Sequence, residues 1–307
     1  MKQIMTTDTN YHIPVLLKES VDGLALRKDA VVVDVTFGGG GHSAYILSQL
    51  SDEGFLYAFD QDLDAVSNAL QAPNFKLIEA NFKYLKNHLS AEGITQVDAI
   101  LADIGVSSHQ FDVEQRGFSF RADAPLDMRM NQRSGRTAAN LLNEASEKEL
   151  LRVFNTYSDL TNVFRLVQAL LNERAVKAFA TTDDLARVAK RLAPKNKEHK
   201  YIAQVFQALR IEVNDEIGAL RKLLLDATDL LKKGGKISVI SYHSLEDRLV
   251  KNYFKKGDFE GKESKDFFGN LLRPFVEVNR HPVVPSEWEI ERNNRARSAK
   301  LRTAERL

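Results

Sequence analysis

The chain has 307 residues and a mass of 34.6 kDa, more than one ordinary single-core domain and suited to two. An apolar share of 43% and a charged share of 28%, with mean hydropathy −0.32, exclude a disordered or fibrous chain. Lys+Arg 43 against Asp+Glu 42 leaves a net charge of +1, so any grip on nucleic acid must come from local basic patches. The absence of cysteine rules out a disulfide framework, a thiolate zinc centre and a cysteine nucleophile. No run approaches the roughly 20 apolar residues that span a bilayer, and the opening MKQIMTTDTNYHIPV lacks the basic-then-apolar pattern of a secretory leader. A cytoplasmic protein without a metal centre is the expectation.

From Ala30 the pattern alternates. AVVVDVTF reads as a first strand closed by GGGGH, and SAYILSQL as a helix with Ile46, Leu47 and Leu50 on one face. GFLYAFD is a second strand ending at Asp60, DLDAVSNAL a second helix, and FKLIEANF and VDAILADIG the third and fourth strands. Short apolar strands separated by helices imply right-handed crossovers and a parallel sheet. After Asp103 the alternation stops in an aperiodic stretch from Ser107 to Arg136. Helical patterning follows. Ser146 with Glu149, and Thr181 with Asp184, have capping-box spacing, in which each side chain satisfies the other residue's orphan amide. From His199 to about Leu231 the apolar residues keep a 3.6-residue period, which predicts one long amphipathic helix. KKGGKISVISY returns to a strand, and SAKLR supplies a last one. The expected organisation is an α/β domain, residues 1–110 and 216–307, interrupted by an all-helical domain of residues 111–215.

Asp34-Val35-Thr36-Phe37 followed by four glycines lies where the first strand hands over to the first helix. Glycines let backbone amides approach a ligand closely, and the helix start turns its positive end toward it. Asp60, closing the second strand, is placed to accept hydrogen bonds from both hydroxyls of a ribose. Asp103 ends the fourth strand at the edge where open α/β sheets bind ligands. No phosphate-binding GxxxxGK[ST] sequence is present. A dinucleotide fold wants a third glycine where Ser43 stands, and Asp34 beside the loop suits a cationic sulfonium better than a pyrophosphate. S-adenosylmethionine is the better fit, with NAD as the competitor.

DVTFGGGGHS, LADIGVSSHQ, RGFSF, PLDMRM, FQALRIEVN, SVISYHSLEDRLVK and NNRARSAKLR, in that order, resemble the motifs of the bacterial ribosomal RNA small-subunit methyltransferase H family, over nearly the whole chain from His12 to Arg302. The resemblance implies a Rossmann-like class I S-adenosylmethionine-dependent methyltransferase sheet with an inserted helical substrate-recognition domain. It implies methylation of the exocyclic N4 amine of a cytidine in the decoding region of 16S ribosomal RNA. By resemblance the donor contacts fall on Gly40, Gly41, His42, Asp60, Phe82, Asp103 and Gln110. Tyr157-Ser158-Asp159-Leu160 and Phe164-Arg165-Leu166-Val167 depart from the family pattern, so the shape of that helix pair does not carry over.

The cytosine amine is a weak nucleophile because its lone pair is delocalised into the ring, and an acceptor for its N–H shifts density back onto nitrogen. Asp103 is the candidate acceptor, with a role confined to the donor as the alternative. Phe118 or Phe120 would stack on the base, and Arg129, paired with Asp127, would order the loop over it. His243 follows the fifth strand as a second catalytic candidate, against a structural role. A stacked base must be displaced to reach the donor, and cations must hold the backbone. Lys190, Arg191, Lys195, Lys197 and Lys200 in the insertion, Arg121, Arg129, Arg133 and Arg136 before it, and Arg292, Arg295, Arg297, Lys300 and Arg302 in the tail supply three clusters. The near-neutral total suggests the assembled small ribosomal subunit as partner, without a membrane, and a homodimer is left open. The competing classes are a NAD-linked dehydrogenase, a non-catalytic RNA-binding assembly factor and a DNA amino-methyltransferase, the last weakened because no proline-proline-aromatic motif follows Asp103.

Overall fold

A computed structural model describes residues 14–307; the start of the first predicted domain segment, residues 1–13 with His12, lies outside the described residues. The chain divides into two compact units, one of the described residues up to Gly105 together with Gly218–Leu307, the other of Val106–Ile217.

In the first unit the described strands form one seven-stranded sheet in the order β3-β2-β1-β4-β5-β7-β6. They are β1 (Val31–Asp34), β2 (Phe55–Asp60), β3 (Phe75–Glu79), β4 (Val97–Asp103), β5 (Leu231–Ser241), β6 (Phe275–Glu277) and β7 (Lys300–Arg306). The first five pair in parallel, whereas β7 runs antiparallel to β5 and β6. This is the parallel α/β sheet expected from the alternating pattern, with an antiparallel pair added beyond β5. Chain order reverses at β1 and β4, and the carboxyl ends of strands at such a switch point are where open sheets take ligands. The central strands are buried on both faces: Val32, Val33, Leu56, Ala58, Ile100, Leu101 and Ile237 are solvent-free, as their continuous apolar runs require. The helices in the first segment of this unit are α1 (Leu17–Asp22), α2 (Gly41–Gln49), α3 (Leu63–Val66) and α4 (Leu85–Ala91). The helix expected after Asp60 is thus a single turn, begun by Asp62, whose side chain accepts from the Asp64 amide.

The second unit holds α5 (Ser108–Asp112), α6 (Ala138–Glu144), α7 (Glu147–Tyr157), α8 (Val163–Val176), α9 (Thr182–Leu192) and α10 (Glu198–Asn214). Phe154, Leu166, Leu170, Val188, Val205 and Leu209 form a core of its own. The Thr181–Asp184 capping box is complete, but at Ser146 only half forms. The hydroxyl accepts from the Glu149 amide, while the Glu149 carboxylate goes to Arg136 at 3.1 Å.

One sequence expectation is corrected. The long helix predicted from His199 to Leu231 is two helices, α10 and α11 (Glu216–Leu230), broken at Asp215 in the left-handed conformation, φ 49°. The break is held in place. Arg210 pairs doubly with Glu216 at 2.8 and 2.9 Å, and the Asn214 amide donates to the carbonyls of Met128 and Arg210 while accepting from the Met130 amide. Apolar periodicity continues across the break, so pattern alone does not reveal it. After β5 come α12 (Ser244–Lys256) and α13 (Glu287–Arg292), then a 3-10 turn at Asn294–Ser298 leading into β7. Among the described residues no helix is long and apolar enough to cross a membrane.

Candidate active site

Three acids, Asp34, Asp60 and Asp103, end β1, β2 and β4 side by side at one edge of the sheet. Asp34 is wholly buried. It accepts from the Ser43 hydroxyl at 2.7 Å and from the Thr36 amide at 3.1 Å, and burial pushes its carboxyl up to about 6. The sequence reading gave Asp34 to a sulfonium; the structure instead spends it inside, tying α2 to the loop after β1. Asp60 is half-buried. Its Oδ2 accepts from the Gly38 amide and its Oδ1 from the Asp62 amide, both at 2.8 Å, and burial lifts it to about 6 against those two bonds. A carboxylate oxygen has two lone pairs, so each retains capacity for a hydroxyl donor.

Asp103 keeps 21% side-chain exposure. Its backbone amide donates to Thr36 Oγ1 at 2.7 Å, locking the end of β4 to the loop after β1. Its Oδ1 accepts from the Tyr242 hydroxyl at 2.7 Å, and its Oδ2 lies 3.9 Å from His42 Nδ1. Desolvation pushes Asp103 up to about 7; the Tyr242 bond opposes the rise, and the charges of Asp34 and Glu246 add to it. Tyr242 is itself held far above the normal phenol range, first by burial and then by Asp103, so it stays a donor. His42, 5% exposed, is pushed down to about 4 by burial. Its Nε2 faces the Val15 carbonyl at 3.1 Å, and because a carbonyl only accepts, Nε2 carries the proton and Nδ1 presents a lone pair toward Asp103. His42 is therefore neutral, and among the described residues no cation pairs with the carboxyls of this cluster.

The glycine turn serves this geometry. Gly40, φ 77°, starts α2 in the left-handed region, and a Cβ there would lie 2.9 Å from the Phe37 ring. At Gly41 a Cβ would overlap Pro14 at 2.2 Å. Internal packing thus forbids side chains at both, while a Cβ at Gly38 would meet nothing within 4 Å. Phe82 opens a 3-10 turn after β3, half-buried, next to Asn81, whose amide donates to Gln61 at 2.8 Å beside Asp60. A cationic ligand bearing hydroxyls and an aromatic ring matches these acceptors and charges.

His243 caps α12. Its Nδ1 accepts from the Glu246 amide, and Glu246 Oε2 returns to the Tyr242 amide at 2.9 Å. Glu246 Oε2 thus accepts from both the Tyr242 and the His243 amides, while His243 spends Nδ1 on the cap. Sequence reasoning missed Tyr242, Thr36 and Ser43. A signal for Tyr242 existed: it is the first residue beyond β5, just as Asp103 ends β4, and Asp103 pairs with Ile240 in register.

In the helical unit, Gln110 is 5% exposed and closes a capping box with Ser107, its Oε1 accepting the Ser107 amide at 3.0 Å. Phe118, also 5% exposed, is built into that unit's core against Phe111, so its ring offers no free face. Phe120 remains half-buried, edge-on to Phe206 at 5.3 Å and tilted against His199. Arg129 grips Asp127 through two bonds of 2.8 Å, holding that carboxyl below its usual range against burial. Lys195 and Lys197 are exposed before α10. In the first unit Arg297 is exposed and Arg295 half-buried on the Asn294–Ser298 turn. The basic tail is smaller than its sequence suggests. Arg302 is 8% exposed and pairs with Asp247 at 2.7 Å, which Lys300 also engages at 3.2 Å, so neither faces a partner freely.

Comparison with known proteins follows the same lines. The model of the MraW methylase family matches residues 9–307. A Cytophaga hutchinsonii protein named Ribosomal RNA small subunit methyltransferase H is 54% identical over 298 residues, covering 96% of this chain and 99% of that protein. Proteins of the same name from Bacteroides thetaiotaomicron and Parabacteroides distasonis are 53% and 52% identical, covering 97% and 98% of this chain and 98% and 99% of theirs.

Proposed function

The chain belongs to the MraW methylase family, as a methyltransferase whose donor is S-adenosylmethionine, and we propose that it methylates the N4 amine of one cytidine in the decoding region of 16S ribosomal RNA. The observation that carries the chemical part of this reading is the pair of partly exposed carboxylates, Asp60 and Asp103, that end β2 and β4 at the same end of the sheet with buried Asp34 between them. Burying anions without a counterion is costly, and a permanently cationic ligand relieves that cost. The substrate is supported by relatives that match over almost their full length and bear the name of a small-subunit ribosomal RNA methyltransferase.

When bound, the donor supplies an electrophilic methyl group on a sulfonium. Asp60 holds ribose hydroxyls with the lone pairs its two backbone amides leave. The half-buried Phe82 ring offers a face to the adenine. Asp103 Oδ1 is occupied by Tyr242, which leaves Oδ2 to accept an N–H from the cytosine amine and to take the proton the amine releases as its new bond forms. A carboxyl near 7 suits that exchange at neutral pH. Of the two aromatics considered for the base, Phe120 retains open surface, and Gln110 is assigned to the donor's amino-acid end. Lys195, Lys197, Arg295 and Arg297 hold the RNA backbone, the small subunit is the partner, and the cytoplasm is where it works.

Two measurements test this reading. Nucleoside mass spectrometry of ribosomal RNA from cells with and without the protein should show one N4-methylated cytidine lost on deletion. Asp60→Ala should abolish methyl transfer and donor binding while RNA binding persists; an unchanged nucleoside profile, or a fully active Asp60→Ala enzyme, sinks the assignment.

A further inference from the structure

The sole tryptophan of the chain, Trp288, stands 58% exposed on α13. The Arg292 guanidinium lies over its ring, 4.1 Å from the centroid. That contact fixes the ring's orientation by cation–π attraction and leaves its remaining surface to solvent.

The location is what gives this pair meaning. Glu289, the next residue, accepts the Leu16 amide at 2.7 Å. Leu16 follows Val15, whose carbonyl takes His42 Nε2 beside Asp103. Leu16, Ile240, Ala296, Ala299 and Leu301 share one buried cluster with Tyr242 packed against it. Ile240 and Leu301 are paired at the end of β5 that carries Tyr242, so α13 and the Asn294–Ser298 turn are tethered to the same sheet edge as the candidate site.

We propose that Trp288, held by Arg292, is a stacking platform at the rim of the methyl-transfer site, where it takes an unpaired base of the ribosomal RNA. The inference rests on the RNA methyltransferase reading above. Stacking rather than charge is its basis: Glu287, Glu289 and Glu291 offset Arg292, Arg295 and Arg297 along this stretch. Every base has a π-face, and an aromatic side chain fixed at one edge accepts it without reading sequence.

Because Trp288 is unique, emission excited at the red edge, where tyrosine does not absorb, reports on this position alone. Titration with assembled small subunits should quench the emission with the same midpoint as subunit binding. Trp288→Ala should raise KM for small subunits about 5- to 150-fold, with kcat and donor affinity held, and Trp288→Phe should recover most of the loss. The penalty should persist at high salt, where phosphate contacts fade. Unchanged emission at subunit saturation, or a parental KM in Trp288→Ala, overturns the platform. A cross-link from position 288 that lands on a ribosomal protein and not on 16S RNA gives the ring to protein and overturns it too. A parent enzyme that methylates no RNA defeats the functional reading instead, whereas normal methylation with silent Trp288 defeats only this inference.

Discussion

Replacing Asp103 by Asn removes an acid that the fold holds at about 7, against about 3.8 in the unfolded chain. The folded state therefore binds more protons than the unfolded one between those values, and the wild-type protein loses stability as pH rises from 4 through 7. Asn abolishes that loss while still accepting the Tyr242 hydroxyl. A shift of roughly 3 pKa units at about 1.36 kcal/mol each sets a ceiling near 4 kcal/mol on the gain above pH 8. By the same relation about 1.7 kcal/mol of it is already present at pH 5, so the advantage of Asp103→Asn should widen by about 2.5 kcal/mol from pH 5 to pH 8. Residual water at a side chain 21% exposed should reduce this to about half. Urea unfolding of both full-length proteins at a series of pH values measures it. A gap that stays constant, or that closes as pH rises, refutes the account of Asp103 as a desolvated acid. The same variant should be inactive in methyl transfer, since stability gained at a functional charge is activity lost.

Three further outcomes are expected. Tyr242→Phe removes the hydrogen bond that favours the Asp103 carboxylate, so its titration moves further up; kcat at pH 7 should fall about fivefold and recover in alkali, as a pH–rate profile would record. Gly105→Ala places a Cβ 3.1 Å from the Tyr242 ring at φ 138°, a conformation reserved for glycine, and should cost about 1–3 kcal/mol in thermal unfolding, more than Gly38→Ala, whose new methyl meets open space. Asp247→Asn leaves Arg302 nearly buried without its main partner, at a cost of about 2–3 kcal/mol at neutral pH. Arg302 and Lys300 hold Asp247 below its ordinary value, so the stability it contributes is present above pH 4 and is lost as acid protonates it; a cost for Asp247→Asn that persists unchanged at pH 3 would contradict the ion pair.

The sheet was legible because β1, β2 and β4 each carry a short apolar run closed by aspartate, a local signal that tertiary context has no cause to override. The three strand-end acids were legible for the same reason, since an acid after an apolar run must lie at an edge. What each acid does was not. Asp34 and Asp103 look alike in sequence, but Ser43, one turn into α2, reaches Asp34 and seals it inside, whereas Asp103 meets a tyrosine far along the chain. The break at Asp215 escaped because its causes are non-local side-chain bonds to Met128 and Met130. The basic tail misled similarly: a strand of alternating residues sends Arg302 inward to Asp247, and composition does not register direction.

The private core of the helical unit has an evolutionary corollary. Every buried side chain in it falls between Phe118 and Leu209, and the sheet contributes none. On the reading proposed above, substitutions there reshape which nucleic-acid contour is recognised while the donor's proposed anchors at Asp60 and Asp103 stay fixed. Target choice and chemistry can therefore drift at separate rates in one polypeptide, and a lineage can retune the first without risking the second.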